Sequence, residues 1–358
     1  MSALLIVYIL LLQFFCGRVT AALSPITGAK RVGALSLSPI GVGTWAWGNR
    51  FLWQYSQSED EELQRAYEYL VSKGVNWFDT ADSYGTGDLV GQAEVLLGRF
   101  DTGLLAKMRR KSTGVSFATK IAPFPSRIGS ESMYQAGLES IGRLSRIDIL
   151  QLHWPPFWVV PQLNEWFEDE YMKAFARLQR EGLATQLGVS NYGPKTLARV
   201  DSAAQRAGSK IYTNQVQFSL LSRYPIENGL AEECAARGIQ PIGYSPLALG
   251  LLTDKYSIDR LPAGPRALLF RETLPKIAPL LSELRQVAQH RGKTVSQVAL
   301  NWNLSKGFLL LVGVRSVEQA KENLGALGWK LTPAEVGSLD VAASKCRVQL
   351  VQNSFQTP

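Results

Sequence analysis

From Pro39 onward the chain alternates short apolar or β-branched runs with longer segments whose apolar residues recur every three or four positions. The short runs stand near Ile40 to Thr44, Asn76 to Asp79, Ser116 to Lys120, Ile147 to Leu152, Ala184 to Ser190, Tyr212 to Gln217, Gln240 to Tyr244 and Phe308 to Gly313. Each is bounded by Gly, Pro or polar residues, the pattern of a parallel strand covered on both faces. The segments between them predict helices. Ser58 with Glu61, Thr294 with Gln297, Ser316 with Gln319 and Thr332 with Glu335 each place a hydroxyl three residues before a Glu or Gln, the spacing of a reciprocal helix cap. Leu63, Ala66, Tyr67 and Leu70 then share one helical face, with Gly74 placed to end the helix. Val295, Val298, Ala299 and Trp302 form a second buried stripe.

Strands alternating with helices over roughly 280 residues fit either an open doubly wound sheet or a closed (β/α)8 TIM barrel. Eight units favour the barrel. The first strand, Gly41-Val42-Gly43-Thr44-Trp45, also lacks the third glycine of a dinucleotide-binding turn. The longest gap, Leu251 to Gly292, contains the Pro/Gly-rich piece Leu261 to Arg266 and predicts an inserted loop and helix between strands seven and eight, near the rim of the site. The barrel is expected over 33–345 with a C-terminal helix, followed by a tail over 346–358.

Composition changes this picture little. The chain has 358 residues, 46% of them hydrophobic, enough for one large core. Its formal charge of +8 (38 − 30) is spread along the chain, apart from a cluster at Lys107 to Lys111, and implies no nucleic-acid partner. The N-terminus differs. Leu4 to Cys16 is an apolar run of about 13 residues, short of a bilayer span, and Thr20, Ala21 and Ala22 follow it. Residues 1–22 therefore predict a cleavable signal peptide, with a membrane anchor or buried strand as the alternative, and 23–32 a transit or linker segment. No stable membrane anchor is expected in the mature chain. Removal of the leader takes Cys16 and leaves Cys234 and Cys346, which are expected to be unpaired thiols.

In such a barrel, catalytic groups stand at the C-terminal ends of the strands. Those ends carry Asp79 followed by Tyr84, Lys120, His153, Ser190 with Asn191, Gln215, Tyr244 and Gly313. His290, the second histidine, lies in a polar helical stretch and is expected at the surface; with one histidine left, no metal site is expected.

The segments Phe78-Asp79-Thr80-Ala81-Asp82-Ser83-Tyr84-Gly85, Thr119-Lys120, Leu152-His153-Trp154, Gly188-Val189-Ser190-Asn191-Tyr192, Asn214-Gln215-Val216 and Tyr244-Ser245-Pro246-Leu247 occur in order. Together they resemble the aldo-keto reductase family from about Gly33 to Val341. Gln151-Leu152-His153-Trp154-Pro155 and Ala299-Leu300-Asn301-Trp302 are most similar to the plastid-type reductases of plants and algae. The resemblance implies an NADPH-dependent oxidoreductase that turns an aldehyde or ketone into an alcohol. It assigns Tyr84 as proton donor, Lys120 as the ammonium that lowers its pKa, Asp79 as the support of that ammonium, and neutral His153 as the group that orients the carbonyl. A catalytically weak, cofactor-binding regulatory subunit is the alternative, since the family includes channel-associated subunits.

For the cofactor, NADPH or NADP, the resemblance places Ser190, Asn191 and Gln215 on the carboxamide and the Tyr244 ring against the nicotinamide. Ser245, Pro246, Leu247 and Gly250 lie along the pyrophosphate. Gly313 precedes Arg315 and Ser316, candidates for the 2′-phosphate at a helix N-terminus, and Gln319, Glu322 and Asn323 fall nearer the adenosine. Arg315 is otherwise a solvated side chain and Ser316 a cap. Val312 and Arg315 stand where the family often has proline and lysine. Trp45, Phe124 and Trp154, with Trp47, Phe157 and Trp158, follow strand ends and suit an apolar or planar carbonyl substrate, or else pack the barrel top. A monomer is the simplest expectation. The leader and the plastid-type body together predict a plastid reached through an ER-type signal peptide, with secretion as the alternative.

Overall fold

The computed structural model describes residues 26–109, 112–156 and 163–346, with 348, 350 and 357. The proposed leader, Phe157, Trp158 and most of the tail lie outside the described residues.

Eight parallel strands close into a barrel: β1 Ile40–Gly43, β2 Trp77–Asp79, β3 Ser116–Ile121, β4 Ile147–Leu152, β5 Ala184–Ser190, β6 Ile211–Gln217, β7 Gln240–Tyr244 and β8 Leu309–Gly313. They pair in chain order and β8 returns to β1, with Leu310 opposite Ile40. Every strand lies within one residue of its expected bounds. The crossovers are α1 Asp60–Ser72, α2 Gln92–Met108, α3 Gly129–Leu144, α4 Asn164–Arg180, α5 Pro194–Arg206 and α6 Leu230–Arg237. The inserted segment and last crossover hold α7 Arg266–Thr273, α8 Ala278–Arg291 and α9 Val295–Ser305; α10 Val317–Leu324 and α11 Pro333–Ser344 follow β8.

Alternation along each strand separates two cores. Phe78, Phe117, Leu150, Leu310 and Val312 point outward into the layer under the helices. Their neighbours Trp77, Ala118, Ile149, Leu309 and Leu311 fill the barrel interior. The interior is closed below by a hairpin, Lys30–Val32 against Leu35–Leu37, whose Val32 and Leu37 join the inner cluster. The sequence pattern singles out no element before Ile40, because three-residue strands carry too little periodicity.

The caps at Thr294 and Thr332 form in full. At Ser316 the hydroxyl accepts from the Gln319 amide at 3.2 Å, but the Gln319 side chain reaches back to Arg315 N rather than Ser316 N. The expected box at Ser58 does not form. Its hydroxyl faces Ser56, and α1 begins at Asp60 after a short 3-10 turn. Side-chain contacts explain the shift: Asp60 is held by Tyr55 at 2.6 Å and Arg99 at 2.7 Å, while Glu59, at the cap position, turns its carboxylate to Arg315.

A barrel filled by a tryptophan needs a gap opposite it. A β-carbon on Gly41 would lie 2.2 Å from the Trp77 ring, whose Nε1 is fixed on the Ser38 carbonyl at 2.9 Å. Gly41→Ala is therefore expected to destabilise the fold by about 1–3 kcal/mol, as overpacking does. Urea unfolding measures this, and an unchanged midpoint would show that Trp77 moves aside freely.

Candidate active site

At the C-terminal mouth of the barrel, β2 ends in Asp79 and β3 carries Lys120; the two side chains are 2% and 1% exposed and form an ion pair. Lys120 Nζ also donates to the Thr80 carbonyl at 2.7 Å. The second carboxylate oxygen of Asp79 accepts from Gln151 Nε2 at 2.9 Å and Gln215 Nε2 at 2.8 Å, so strands β2, β3, β4 and β6 meet on one carboxylate. A buried charge pair is stable only when its remaining lone pairs and protons are satisfied. Here two glutamines meet that need.

Tyr84 lies in the β2–α2 loop with Lys120 Nζ 4.7 Å from its ring centre. His153 follows β4, with its ring centre 5.7 Å from that of Tyr84 and its Nδ1 3.4 Å from the Ser83 hydroxyl. The structure thus brings together all four residues assigned to chemistry. Burial opposes the Lys120 charge, but Asp79 and Tyr84 hold the ammonium above its usual pKa. Burial, then the Lys120 charge, pushes His153 well below the usual histidine value, so the imidazole is neutral near pH 7. The expectation for Tyr84 is corrected: burial raises its pKa and outweighs the opposing Lys120 ammonium, so the hydroxyl remains a phenol.

The residues expected on a carboxamide are engaged in the scaffold. Ser190 Oγ donates to the Gln215 carbonyl at 2.8 Å, and the Gln215 amide is spent on Asp79. Asn191, in the left-handed region at φ 67°, donates to the His153 carbonyl at 3.0 Å and accepts from the Tyr244 hydroxyl at 2.9 Å. Thr357 steadies this residue: its N donates to Asn191 O, and its Oγ1 accepts from Gly193 N at 2.9 Å, just before α5.

Beyond Tyr244 the chain has the backbone of an anion cradle. Ser245, Ala248, Leu249 and Gly250 all have positive φ, a geometry that turns amide N–H groups to one side. Two of these amides are already used, Ala248 N on Ser245 O and Gly250 N on Leu247 O. Pro246 contributes its carbonyl to Asn303 Nδ2 at 3.3 Å. Beside the cradle stands a cation that the sequence reading did not single out. Arg266 bonds Leu249 O at 3.2 Å and lies 4.3 Å over the Trp53 ring, and its Nε is buried without a partner. An orphaned guanidinium nitrogen next to left-handed backbone fits the phosphates of an extended dinucleotide.

After β8, Gly313 is exposed, its carbonyl accepting from Asn323 Nδ2 at 3.3 Å. Arg315 is only partly exposed, and Glu59 grips it with both oxygens, at 2.5 and 2.6 Å. Glu322 accepts from the Thr294 hydroxyl. At the rim, Trp45 meets Trp53 edge-on at 6.0 Å, and Phe124, 38% exposed, meets Trp154 at 6.0 Å, with Trp154 4.4 Å from His153. Trp47 is not a rim residue. It is buried against Phe100, with Nε1 on the Val314 carbonyl, because its strand-end position faces the helix layer.

This geometry agrees with a match of residues 39–343 to the sequence model of the Aldo/keto reductase family. The chain belongs to the aldo/keto reductase family. It is 44% identical over 334 residues to the chloroplastic pyridoxal reductase of Arabidopsis thaliana, covering 91% of this chain and 89% of that one. Among solved structures, a thermostable aldo-keto reductase crystallised with the inhibitor epalrestat superposes with a TM-score of 0.69 at 26% identity, covering 88% and 99% of the two chains. The aldo/keto reductase of Klebsiella pneumoniae, crystallised with NADP and acetate, superposes with a TM-score of 0.64 at 24% identity, covering 86% and 91%.

Within this aldo/keto reductase, sequence reasoning missed Gln151 as a support of Asp79. Its one signal is a polar residue inside an apolar strand that ends in a catalytic candidate. Gln151→Leu preserves much of the shape but removes one donor from a buried carboxylate, and the expected cost is about 1.5–3 kcal/mol. Chemical denaturation checks this; a loss below about 0.5 kcal/mol would mean that Gln215 alone satisfies that oxygen.

Proposed function

We propose that this oxidoreductase reduces an aldehyde to an alcohol with NADPH as reductant and Tyr84 as proton donor. The observation that carries the reading is the phenol held between a buried Lys120 ammonium and a neutral His153. When bound, the reduced nicotinamide supplies a hydride to the carbonyl carbon. The protein's part is to stabilise the oxygen. Tyr84 gives its proton to the developing alkoxide and is reprotonated from solvent afterwards. Lys120, fixed by Asp79, stabilises the phenolate that Tyr84 becomes for that interval. His153 donates a hydrogen bond to the carbonyl without adding a second cation. Arg266 and the cradle at Ser245, Leu247 and Gly250 are the residues for the pyrophosphate, with Tyr244 at the nicotinamide end and Asn191 and Gln215 keeping its neighbours in place.

The wall formed by Phe124, Trp154 and the His153 ring suits a planar aromatic aldehyde. The chloroplastic relative is named for such a substrate, pyridoxal, which makes it the first compound to test.

With pyridoxal and a panel of aromatic aldehydes, loss of NADPH absorbance is expected for the wild type. Tyr84→Phe should lose at least about a hundredfold in kcat while still binding cofactor. Because the acid form of Tyr84 is required and burial raises its pKa, kcat should stay level from about pH 6 to about pH 9 and fall only above about pH 10. A fall centred near pH 8 would instead show that Lys120 overcomes burial. Cofactor binding without turnover in either protein would favour a regulatory subunit.

The same relative and the apolar leader support a plastid location reached through an ER-type signal peptide, with secretion as the alternative. A fluorescent fusion of residues 1–40 should leave the cytosol; cytosolic fluorescence would sink both the plastid and the secretory route.

A further inference from the structure

Two carboxylates occupy the place where an adenosine phosphate is expected. They come from the β1–β2 crossover, far away in sequence. Glu59 binds Arg315 through both oxygens, at 2.5 and 2.6 Å to NH2 and 3.2 Å from Nε. Glu62 accepts from the Val317 amide at 2.9 Å, the first turn of α10 and the group that a helix N-terminus would otherwise present to an anion. Arg65 holds Glu62 in turn, at 2.6 Å. Glu59 is itself anchored by its neighbour Asp60, which Tyr55 and Arg99 fix in place. The cation and the amide assigned to the phosphate therefore both face an acid of this chain.

A carboxylate and a phosphate compete for the same donors, whereas a ribose diol is a donor that a carboxylate accepts. A phosphate placed here competes with Glu59 for the Nε and Nη2 groups of Arg315 and lies close to Glu62, a like-charge juxtaposition that is unfavourable. A free 2′-hydroxyl can hydrogen-bond to Glu59 without breaking the pair.

We propose that Glu59 and Glu62 are cofactor-selectivity residues that compete with the 2′-phosphate for Arg315 and the α10 N-terminus, and so hold the NADPH-over-NADH preference down to a level at which NADH is also accepted. This rests on the nicotinamide-dependent reading above. It assigns the preference to two residues outside every motif that carries the family resemblance. The remaining phosphate attraction then comes from the far side of the groove, where Arg266 donates to the Leu249 carbonyl and lies over the Trp53 ring.

The test is binding, free of catalysis. NADPH and NADH are titrated separately into wild type, Glu59→Gln, Glu62→Gln and the double variant by quenching of tryptophan fluorescence, with adenosine 2′,5′-bisphosphate and 5′-AMP as fragments. Circular dichroism confirms that each variant is folded. Glu59→Gln is expected to tighten NADPH and the bisphosphate about tenfold and to leave NADH and 5′-AMP within about threefold, with a further gain in the double variant. Equal changes for both dinucleotides, or weaker NADPH binding in Glu59→Gln, would overturn the assignment. In the latter case Glu59 merely orients Arg315 for the phosphate. Wild-type protein that binds neither dinucleotide would defeat the functional reading itself, an outcome distinct from binding with an unchanged ratio.

Discussion

The buried ion pair between Asp79 and Lys120 is the constraint around which the mouth of this barrel is organised. Removing two charges from water costs several kcal/mol per ion, and apolar residues of similar volume would fill the same space without that cost. The barrel keeps the pair and surrounds it with hydrogen-bond partners: Gln151 and Gln215 donate to the free carboxylate oxygen, and the Thr80 carbonyl accepts from the ammonium. The two glutamines come from different strands, β4 and β6. A shift of one strand by one residue would turn its donor to the helix layer, leaving an unpaired charge inside. Barrel register and the ionic centre therefore enforce each other.

The same centre divides the protonation states above it. Lys120 remains charged, which makes a second cation beside it unfavourable, and burial acts on His153 in the same direction. For Tyr84 the two effects oppose one another, and burial prevails. The result is one ammonium, one neutral imidazole and one phenol within a few ångströms. In the proposed reaction that set gives a carbonyl oxygen the Tyr84 proton and a hydrogen bond from His153, with the Lys120 ammonium placed to stabilise the phenolate. A phenolate present beforehand would be the wrong form for reduction.

The barrel was legible in the sequence because a parallel strand buried on both faces and an amphipathic helix leave different periods, and this chain repeats both eight times. The caps at Thr294 and Thr332 were legible because their bonds are local. Ser58 failed for a non-local reason: the side chains of Glu59 and Asp60 are claimed by Arg315, Tyr55 and Arg99, so the helix start moved to satisfy them. The four chemical residues could be read off strand ends through their motifs. Gln151 could not, since its role appears only when β2, β4 and β6 converge. Arg266 was hidden for a similar reason, lying in an insertion with no strand end to mark it. The closing hairpin lacked enough residues to show a period.

The two ends of the proposed cofactor site differ in how their charge is managed. Near Leu249 the Arg266 guanidinium has a buried nitrogen without a partner, an arrangement that is costly unless a ligand completes it. Near β8 the Arg315 guanidinium gives its Nε and Nη2 groups to Glu59, an arrangement with which a ligand anion must compete. An unsatisfied donor favours binding of an anion, and a satisfied one resists it, even though both residues are arginines beside the same groove. Counting basic residues along the sequence treats the two as equal. Their difference is set by an acid more than two hundred residues away from Arg315 in the chain, brought next to it because closure of the barrel makes the first crossover the neighbour of the last strand. Barrel closure thus places the charge that distinguishes the two arginines.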